Sequence, residues 1–490
     1  MEETISPQRS NVRAVVDFFP SLVRGSPISL EKQLVQIVRE AILRGQLRPG
    51  MRLPSSRHLA AELHVNRNTV VSALEQLIAD EYLVSKHGSG TFVNEQIHFA
   101  SETSLSTGSP PLIRDLPPLP QPAIVPLFHN VIEFRVCQPS TKAFPLEQWR
   151  KVWRQVTLRA PTAQYSNPAG EPGLREAVAD YLAHARGLRC TADDLVITCG
   201  ALQGFSLVTQ ALLRPGMTVA MEEPGYPLAR QIFAQHAASI VPVPVDEHGL
   251  CVERLPEGGA APRLVYVTPS HQFPLGVRLS QARRMALLEW ATRNDAFILE
   301  DDYDSEFRYD APPLPPLASL DRTGRVVYVG TFSKALAPSL RVGYVLSPLL
   351  REHLTHLKCW TDYHTNTLIQ LALEQFLKEG YFAQHIRRMR RVYAEKRATL
   401  LRILEPLQGV ASARGLEAGL HIFMEWDIPF PTEQLVQQCF QHGLLLADVA
   451  RYYASLPDTS GVVLGYGGLD LHEIEWAGRQ LISMVQTKTH

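Results

Sequence analysis

The segment TFSKALAPSLR, residues 331–341, places one lysine and one arginine among small hydroxyl residues, directly after the apolar run VVYVG. A lone lysine at such a position would ordinarily be a solvated surface charge. Lys334, however, has Thr331 and Ser333 just before it and Arg341 seven positions after it. Hydroxyls and a guanidinium bind phosphate, and a partly desolvated amine attacks an aldehyde. The segment therefore favours a phosphorylated aldehyde as its ligand.

A second chemical candidate is the acidic run EDDYD, residues 300–304. Such a run is compatible with a Mg²⁺ site or with a solvated acidic loop. If the ligand contains a pyridine ring, a buried carboxylate at Asp301 would keep the ring nitrogen protonated. Tyr303, two residues further on, could then hydrogen-bond a ring hydroxyl. The run alone leaves these alternatives open.

Two further segments could complete such a site. CGALQG, residues 199–204, opens a helix after a strand, so its backbone N–H groups and helix dipole favour a phosphate. A glycine-bearing turn of this kind is weak evidence by itself. Tyr226 in EEPGYP could stack on a ring, although a loop tyrosine more often serves packing alone.

The elements that must position these residues are apolar strands, each ending in a polar or glycine-bearing loop. They are DLVITCG, TVAMEEPGY, RLVYVTPSHQ, AFILEDDYD and RVVYVGTFSK. Short apolar strands that alternate with long helical stretches predict an α/β fold with a mainly parallel sheet. Ligands of such sheets bind beyond the carboxyl ends of the strands, so we expect the five loops to converge on one site.

A change in composition divides the chain. Ser, Thr and Pro interrupt any helical or strand period from about Asn94 to Pro126, which is typical of a semi-extended linker. We therefore predict a small domain at 28–95, a linker at 96–127 and a large domain at 128–490.

The small domain has the pattern of a winged helix-turn-helix. Apolar residues from Leu34 to Ile42 have helical spacing, Ser55 and Asn66 are placed to cap two further helices, and YLVSKHGSGTFV predicts two strands around a Gly-Ser-Gly turn. The predicted groove-facing positions hold Arg52, Arg57, Arg67 and Lys86. A three-helix unit with a hairpin could equally be a dimerisation module, since bare patterns of this kind are only moderately specific.

Composition excludes little. The 490 residues carry a formal net charge of −1, with 45% apolar and 20% charged residues, as is ordinary for a soluble globular protein. The N-terminal sequence lacks a secretion-signal pattern and no apolar run is long enough for a membrane span, so we expect a cytoplasmic protein without a membrane partner. The six cysteines form no CxxC pair, so neither disulfides nor a metal site is expected.

The segment from GQLRPG to GSGTFV, residues 45–93, resembles the DNA-binding domain of the GntR family of bacterial transcription regulators. The resemblance implies contacts with operator DNA from the arginine after LPS, the start of the third helix and the tip of the wing. Together with the groove-facing Arg52, the predicted DNA-binding residues are Arg52, Arg57, Arg67, Asn68, Thr69, His87 and Gly88.

The large domain resembles the fold-type I aminotransferases, which use pyridoxal 5′-phosphate. Its lysine segment and YSNPAGEPGLREAVADYL are the parts that carry this resemblance. It implies a Schiff base between the cofactor and Lys334, Asp301 at the pyridine nitrogen and Tyr303 at the ring hydroxyl. The implied phosphate contacts are Thr331, Ser333, Arg341, Ala201 and Leu202, with Tyr226 stacking on the ring.

The pairing of the two domains, with TPSHQFPLG and EDDYDSEFRY, resembles the MocR subfamily of GntR regulators. The resemblance implies a homodimer that senses an amine or amino-acid-like effector, which displaces Lys334 to form an external aldimine. An active aminotransferase that carries a DNA-binding head, and a cofactor-free protein whose body only dimerises the head, are the alternatives.

Two positions depart from the aminotransferase pattern. GVVLGYGG places Val463 where aminotransferases generally have an arginine that binds the substrate carboxylate, which leaves Arg451 or Arg230 as candidate replacements. In HQFPLG, Gln272 is the candidate substitute for the asparagine that commonly contacts the ring hydroxyl.

Overall fold

The computed structural model describes residues 22–97, 131–159, 163–236, 238–309 and 315–489. These residues fall into two compact units, one before and one after residue 122. Apart from Gln96 and Ile97, the predicted linker at 96–127 lies outside the described residues.

The smaller unit consists of three helices followed by a hairpin. The three helices each begin after a residue whose side chain accepts a hydrogen bond from a backbone N–H of the first turn, namely Ser29, Ser55 and Asn66. The elements are α1 (Leu30–Leu43), α2 (Ser56–Glu62), α3 (Arg67–Ala79), β1 (Leu83–Lys86) and β2 (Gly90–Val93). This order confirms the predicted winged helix-turn-helix.

The hairpin of the smaller unit differs by one residue from the sequence expectation. β1 and β2 pair antiparallel with Lys86 opposite Gly90, so the turn is His87-Gly88-Ser89. Gly88 has φ of +71°, a backbone conformation that glycine adopts without steric cost. The turn has the same length as the expected Gly-Ser-Gly turn but lies one residue earlier in the chain.

An eight-stranded sheet organises the larger unit, in the order β4-β11-β10-β9-β8-β5-β6-β7. All its strands run parallel except β11 and β7, which are antiparallel to their neighbours. The strands are β4 (Leu195–Thr198), β5 (Thr218–Glu223), β6 (Ser239–Asp246), β7 (Gly249–Leu250), β8 (Leu264–Val267), β9 (Phe297–Asp302), β10 (Val326–Thr331) and β11 (Gly343–Leu346). The prediction of an α/β fold with a mainly parallel sheet is confirmed.

Both faces of this sheet are buried. Tyr266 and Leu299 belong to one apolar cluster, whereas the alternate residues Val265 and Ile298 belong to another. Because successive side chains of a strand point to opposite faces, each face packs against its own layer. This explains why the central strands read as continuous apolar runs rather than as alternating patterns.

The C-terminal part of the chain adds a second, antiparallel sheet in the order β12-β13-β16-β15 and a short parallel pair, β3 with β14. These strands are β3 (Ile132–Glu133), β12 (Ala411–Arg414), β13 (His421–Trp426), β14 (Leu444–Leu445), β15 (Ala447–Asp448) and β16 (Gly461–Gly465). β16 places Val463 opposite Phe423 of β13 and Ala447 of β15. Val463 is therefore surrounded by apolar neighbours.

Helices surround the two sheets. None of those that the structure describes combines the length and the apolar character needed to cross a membrane. They are α4 (Leu146–Thr157), α5 (Pro172–Arg186), α6 (Ala201–Leu212), α7 (Pro227–Gln235), α8 (Gln281–Arg293), α9 (Leu317–Leu320), α10 (Phe332–Ala335), α11 (Arg351–Thr361), α12 (Thr367–Lys378), α13 (Tyr381–Leu404), α14 (Thr432–Gln441) and α15 (Leu471–Thr489).

Candidate functional site

A cavity of about 200 Å³ lies beyond the carboxyl ends of β9 and β10 and the start of α6. The predicted cofactor residues meet here, with the exception of Gln272. The lining residues are Val136, Cys137, Ala201, Leu202, Phe205, Tyr226, Tyr266, Phe273, Asp301, Tyr303, Thr331, Ser333, Lys334 and Arg341. We call this space the inner cavity.

Lys334 is presented to the inner cavity by a single helical turn. Thr331 ends β10, and its Oγ1 accepts a hydrogen bond of 3.1 Å from the backbone N–H of Ser333 in the first turn of α10. Lys334 is half-buried, and among the described residues its amine has neither a hydrogen-bond nor an ion-pair partner. An amine held in place without a partner is available to a ligand.

Arg341 and the N-terminus of α6 form a second part of the site. The Arg341 guanidinium donates a hydrogen bond of 3.0 Å to the carbonyl oxygen of Cys199. It lies so close to Gly200 that a Cβ there would be 2.7 Å from Arg341 Nη2. The first N–H groups of a helix have no partner within the helix, so Ala201 and Leu202 can donate to an anion. With the hydroxyls of Thr331 and Ser333, this arrangement suits a phosphate.

Asp301 supplies the buried carboxylate of the site. Its Oδ2 accepts a hydrogen bond of 2.6 Å from the hydroxyl of Tyr266 on β8, whereas its Oδ1 is buried without a partner. Burial raises the pKa of Asp301 from 3.8 to about 7. A protonated pyridine nitrogen beside Oδ1 would provide the missing hydrogen bond and the opposite charge. The carboxylate therefore fits the ring of pyridoxal 5′-phosphate.

The other carboxylates of EDDYD are already engaged. Glu300 accepts hydrogen bonds of 2.9 Å from the N–H groups of both Leu317 and Ala318 at the start of α9. Asp302 forms a buried ion pair of 2.7 Å with Arg186. Residues 300 and 302 share one face of β9 and Asp301 takes the other, as strand geometry requires. Glu300 and Asp302 are therefore buried and used by the fold itself rather than solvated.

Tyr303 joins the inner cavity to a buried polar network. Its hydroxyl donates a hydrogen bond of 3.0 Å to the carbonyl oxygen of His271. His271 Nδ1 lies 2.9 Å from Asp304 Oδ2, and burial raises the pKa of Asp304. This network fixes the Tyr303 ring at the cavity wall, where its hydroxyl is available to a ligand as an acceptor.

The wall opposite these polar groups is aromatic. Tyr226 packs edge-on against Phe273, with ring centroids 5.3 Å apart. Gln272 lies behind this wall, outside the lining, which corrects its predicted place in the site. Its amide donates to the carbonyl oxygens of Pro224 and Phe273 and accepts from the N–H of Leu275. Because these bonds occupy both ends of the amide, Gln272 shapes the loop rather than facing the cavity.

Cys137 is a lining residue that the sequence did not single out. Its backbone has φ of +58°, in the left-handed region, and its Sγ lies 3.6 Å from His421 Nδ1. His421 Nε2 donates a hydrogen bond of 3.1 Å to the carbonyl oxygen of Pro274. Burial raises the pKa of the Cys137 thiol and lowers that of His421, so both groups are neutral at pH 7.

The two arginines considered as replacements at Val463 lie elsewhere. Arg230 forms an ion pair of 2.8 Å with Glu223 and also donates to the carbonyl oxygen of Tyr452. Arg451 is exposed, and its guanidinium lies 5.7 Å from the centre of the Tyr452 ring. Neither arginine lines the inner cavity.

In the smaller unit, the predicted DNA-binding residues lie at the surface. Arg67 and Asn68 are exposed at the start of α3, Thr69 is half-buried beside them, and His87 and Gly88 are exposed at the wing tip. Arg57 is exposed in α2. The Arg52 guanidinium lies against the wing, where a Cβ at Gly90 would be 3.1 Å from its Nε.

Charge is distributed unevenly in this unit. Across residues 22–97, the side chains of Arg52, Arg57 and Arg67 have neither an ion pair nor a hydrogen-bond partner. Four of the seven acidic residues in this range are paired with other basic groups: Glu40 with Arg44, Asp80 with Arg39, Glu62 with His58 and Glu95 with Lys86. Unpaired arginines thus lie at the predicted DNA-facing positions despite the low net charge, which suits a polyanion.

The chain matches the bacterial regulatory proteins of the gntR family over residues 30–93 and aminotransferase class I and II over residues 130–453. It is 37% identical over 473 residues to the HTH-type transcriptional regulator YdeL of Bacillus subtilis, covering 94% of this chain and 97% of that one.

The probable rhizopine catabolism regulatory protein MocR of Rhizobium meliloti is 33% identical over 463 residues, which is 92% of each chain. Among solved structures, kynurenine aminotransferase of Pyrococcus horikoshii, in complex with PMP, matches with a TM-score of 0.69 and 27% identity. That match covers 74% of this chain and 92% of the other.

Proposed function

The chain belongs to the GntR-type transcription regulators that carry an aminotransferase class I and II domain, and from this membership we propose that it senses a small primary amine through pyridoxal 5′-phosphate. The observation that carries this proposal is Asp301 Oδ1, a buried oxygen without a partner that faces the same cavity as the Lys334 amine. One chain thus combines a DNA-binding unit with a site suited to a phosphorylated pyridine.

In this proposal, each part of the cofactor has its own set of residues. Arg341, the two hydroxyls of Thr331 and Ser333 and the first amides of α6 would hold the phosphate. Asp301 would keep the pyridine nitrogen protonated, and Tyr226 would stack on the ring. The bound cofactor supplies an aldehyde that condenses reversibly with a primary amine, either that of Lys334 or that of an effector.

The regulatory step requires that the effector favour one arrangement of the protein over another. Lys334 is tethered to β10 through a single turn, so its release by a competing amine frees a side chain in the wall of the cavity. We infer that this change alters the affinity for operator DNA. In this proposal the protein acts as a homodimer, with DNA-binding domain 28–95, linker 96–127 and effector domain 128–490.

The test is borohydride reduction of the full-length protein after incubation with pyridoxal 5′-phosphate, followed by mass spectrometry of its peptides. We expect the reduced adduct on Lys334 and its loss in Lys334→Ala. Lys378→Ala is the matched control, because that lysine is exposed on α12 and paired with Glu374. An unlabelled Lys334 in the wild-type protein would contradict the proposal.

A second measurement separates the regulator from an active aminotransferase. In gel shifts with DNA from upstream of its own gene, we expect cofactor and effector together to change the affinity of the wild-type protein but not of Lys334→Ala. Sustained keto-acid production from amino donors, with an unchanged affinity for DNA, would instead identify an enzyme.

A further inference from the structure

We propose that the amine sensed by this protein has an uncharged, largely apolar body and carries no carboxylate. The inference rests on the proposed function, since it names the class of effector that fits the space beside Lys334. Three observations carry it: an adjoining apolar cavity, the lack of a buried lining cation, among the described residues, that stays free once the cofactor is bound, and the apolar packing around Val463.

A second space, which we call the outer cavity, adjoins the inner one. It has a volume of about 180 Å³ and shares Val136, Tyr226 and Phe273 with the inner cavity. An effector whose amine reaches the inner cavity would extend its body into this space. Its remaining lining residues are Glu133, Phe134, Arg135, Pro227, Leu228, Leu445, Leu446, Ala447, Arg451 and Tyr452.

Among the described residues that line the two cavities, no cation is both buried and free once the cofactor is bound. Arg135 Nη2 lies 2.6 Å from Glu133 Oε2, so its charge is already matched within the outer cavity. Arg451 is exposed, and an ion pair made in water contributes little to binding. In the inner cavity, Arg341 and Lys334 would be occupied by the phosphate and by the aldehyde. None of these groups offers a buried, free positive charge to a carboxylate.

The surroundings of Val463 also argue against a carboxylate, although Val463 itself lines neither cavity. It is fully buried in one apolar cluster with Cys137, Phe273, Tyr303 and Tyr452, which line one cavity or the other. A carboxylate desolvated against this cluster would have no cationic partner, and burial of an unpaired charge is strongly unfavourable. A methyl group in the same place would gain apolar contacts instead.

The experiment compares two amines of equal length, n-butylamine and 4-aminobutyrate, which differ only in a methyl group against a carboxylate. Each is titrated into the full-length protein loaded with pyridoxal 5′-phosphate, and the dissociation constant is read from the change in the visible spectrum. We expect n-butylamine to bind at least about tenfold more tightly. Gel shifts with each amine then show whether binding alters the affinity for DNA.

Leu228 provides a variant that reverses the preference. This residue is half-buried on the first turn of α7 and lines the outer cavity. Leu228→Arg adds a cation there, so the ratio of the two dissociation constants is expected to shift by about tenfold or more toward 4-aminobutyrate. Leu228→Met is the control, because it keeps volume and polarity and leaves the ratio unchanged.

The outcomes separate this inference from the proposed function. If borohydride attaches no cofactor to Lys334, the proposed function itself is wrong. If the cofactor is attached, the inference is overturned by any of three results. These are tighter or equal binding of 4-aminobutyrate, a failure of both amines to change the spectrum, and an affinity for DNA that responds to the cofactor alone.

Discussion

The two units of this protein use positive charge in opposite ways. In the smaller unit, Arg57 and Arg67 extend into solvent without partners, while Asp80 and Glu40 are paired with other arginines. In the larger unit, Arg186 and Arg230 are paired with carboxylates in the interior. Exposed charges attract a long polyanion weakly and additively, whereas buried groups recognise one small ligand strongly. Substitutions in the two units should therefore differ in the size of their effects.

The largest effect is expected from Asp301→Asn. The amide keeps the shape of the side chain but cannot hold a charge opposite a protonated pyridine nitrogen. We expect the dissociation constant for pyridoxal 5′-phosphate to rise by about 100-fold, or roughly 2.7 kcal/mol, as is typical for loss of a buried charged hydrogen bond. Equilibrium dialysis of the full-length protein measures this change.

Glu300→Gln is the control for that substitution. It removes a buried carboxylate from the same strand but from the opposite face, where the side chain caps α9. It should lower the melting temperature while changing the affinity for the cofactor little. Equal losses of affinity in the two variants would show that Asp301 acts only through the stability of the sheet.

An intermediate effect is expected in the pH dependence of stability without cofactor. Asp301 keeps its proton in the folded protein up to about pH 7, whereas the unfolded chain loses it near pH 4. The folded state thus binds more protons between these values, and stability falls as pH rises through this window and is level above it. Burial also raises the pKa of Glu222, Glu300 and Glu306, so these carboxyl groups contribute to the same fall in stability.

Urea unfolding at pH 5, 6, 7 and 8 measures this dependence, and tryptophan fluorescence reports the larger unit alone because all six tryptophans follow residue 148. Between pH 5 and 7, we expect Asp301→Asn to reduce the slope of the free energy of unfolding by about 1.4 kcal/mol per pH unit. Identical slopes for the two proteins would mean that Asp301 is already ionised in the folded state.

The smallest effect is expected from single arginines of the smaller unit. Arg67→Ala should weaken binding to operator DNA by about fivefold and reduce the slope of log affinity against log salt by about 0.9, the share of one phosphate contact. Gel shifts at several salt concentrations measure both quantities. Arg44→Ala is the control, because Arg44 is equally exposed but paired with Glu40.

A salt slope that stays the same in Arg67→Ala would remove this residue from the DNA contacts. If Arg67→Ala weakened DNA binding by as large a factor as Asp301→Asn is expected to weaken cofactor binding, the two units would not differ in the way proposed. Arg57→Ala provides a further test. If Arg57 and Arg67 make independent phosphate contacts, the variant that carries both substitutions should show the sum of the two reductions in the salt slope.

Much of the architecture followed from local patterns. Ser55 and Asn66 cap helices where capping residues were expected, and each apolar run of the larger unit became a strand ending in its polar loop. These features depend on neighbours in sequence, so one chain is enough to predict them. The convergence of Lys334, Asp301 and Arg341 followed from the rule that parallel strands present their carboxyl ends together.

Other features depend on residues that are distant in sequence. Tyr266 reads as one more apolar strand residue, and only the neighbouring positions of β8 and β9 bring its hydroxyl to Asp301. The amide of Gln272 is occupied by backbone groups that no periodicity reveals. The insertion of the antiparallel β11 between β4 and β10 is likewise a property of the assembled sheet.

The backbone of Cys137 has an evolutionary consequence. A residue with a side chain costs roughly 1 kcal/mol in the left-handed region, and glycine does not incur this cost. Exchange of this cysteine for glycine would release that strain and vacate the volume that the sulfur fills. A single nucleotide change would therefore make room for a bulkier ligand at little cost in folding free energy. New ligand preferences can evolve readily at this position of the cavity wall.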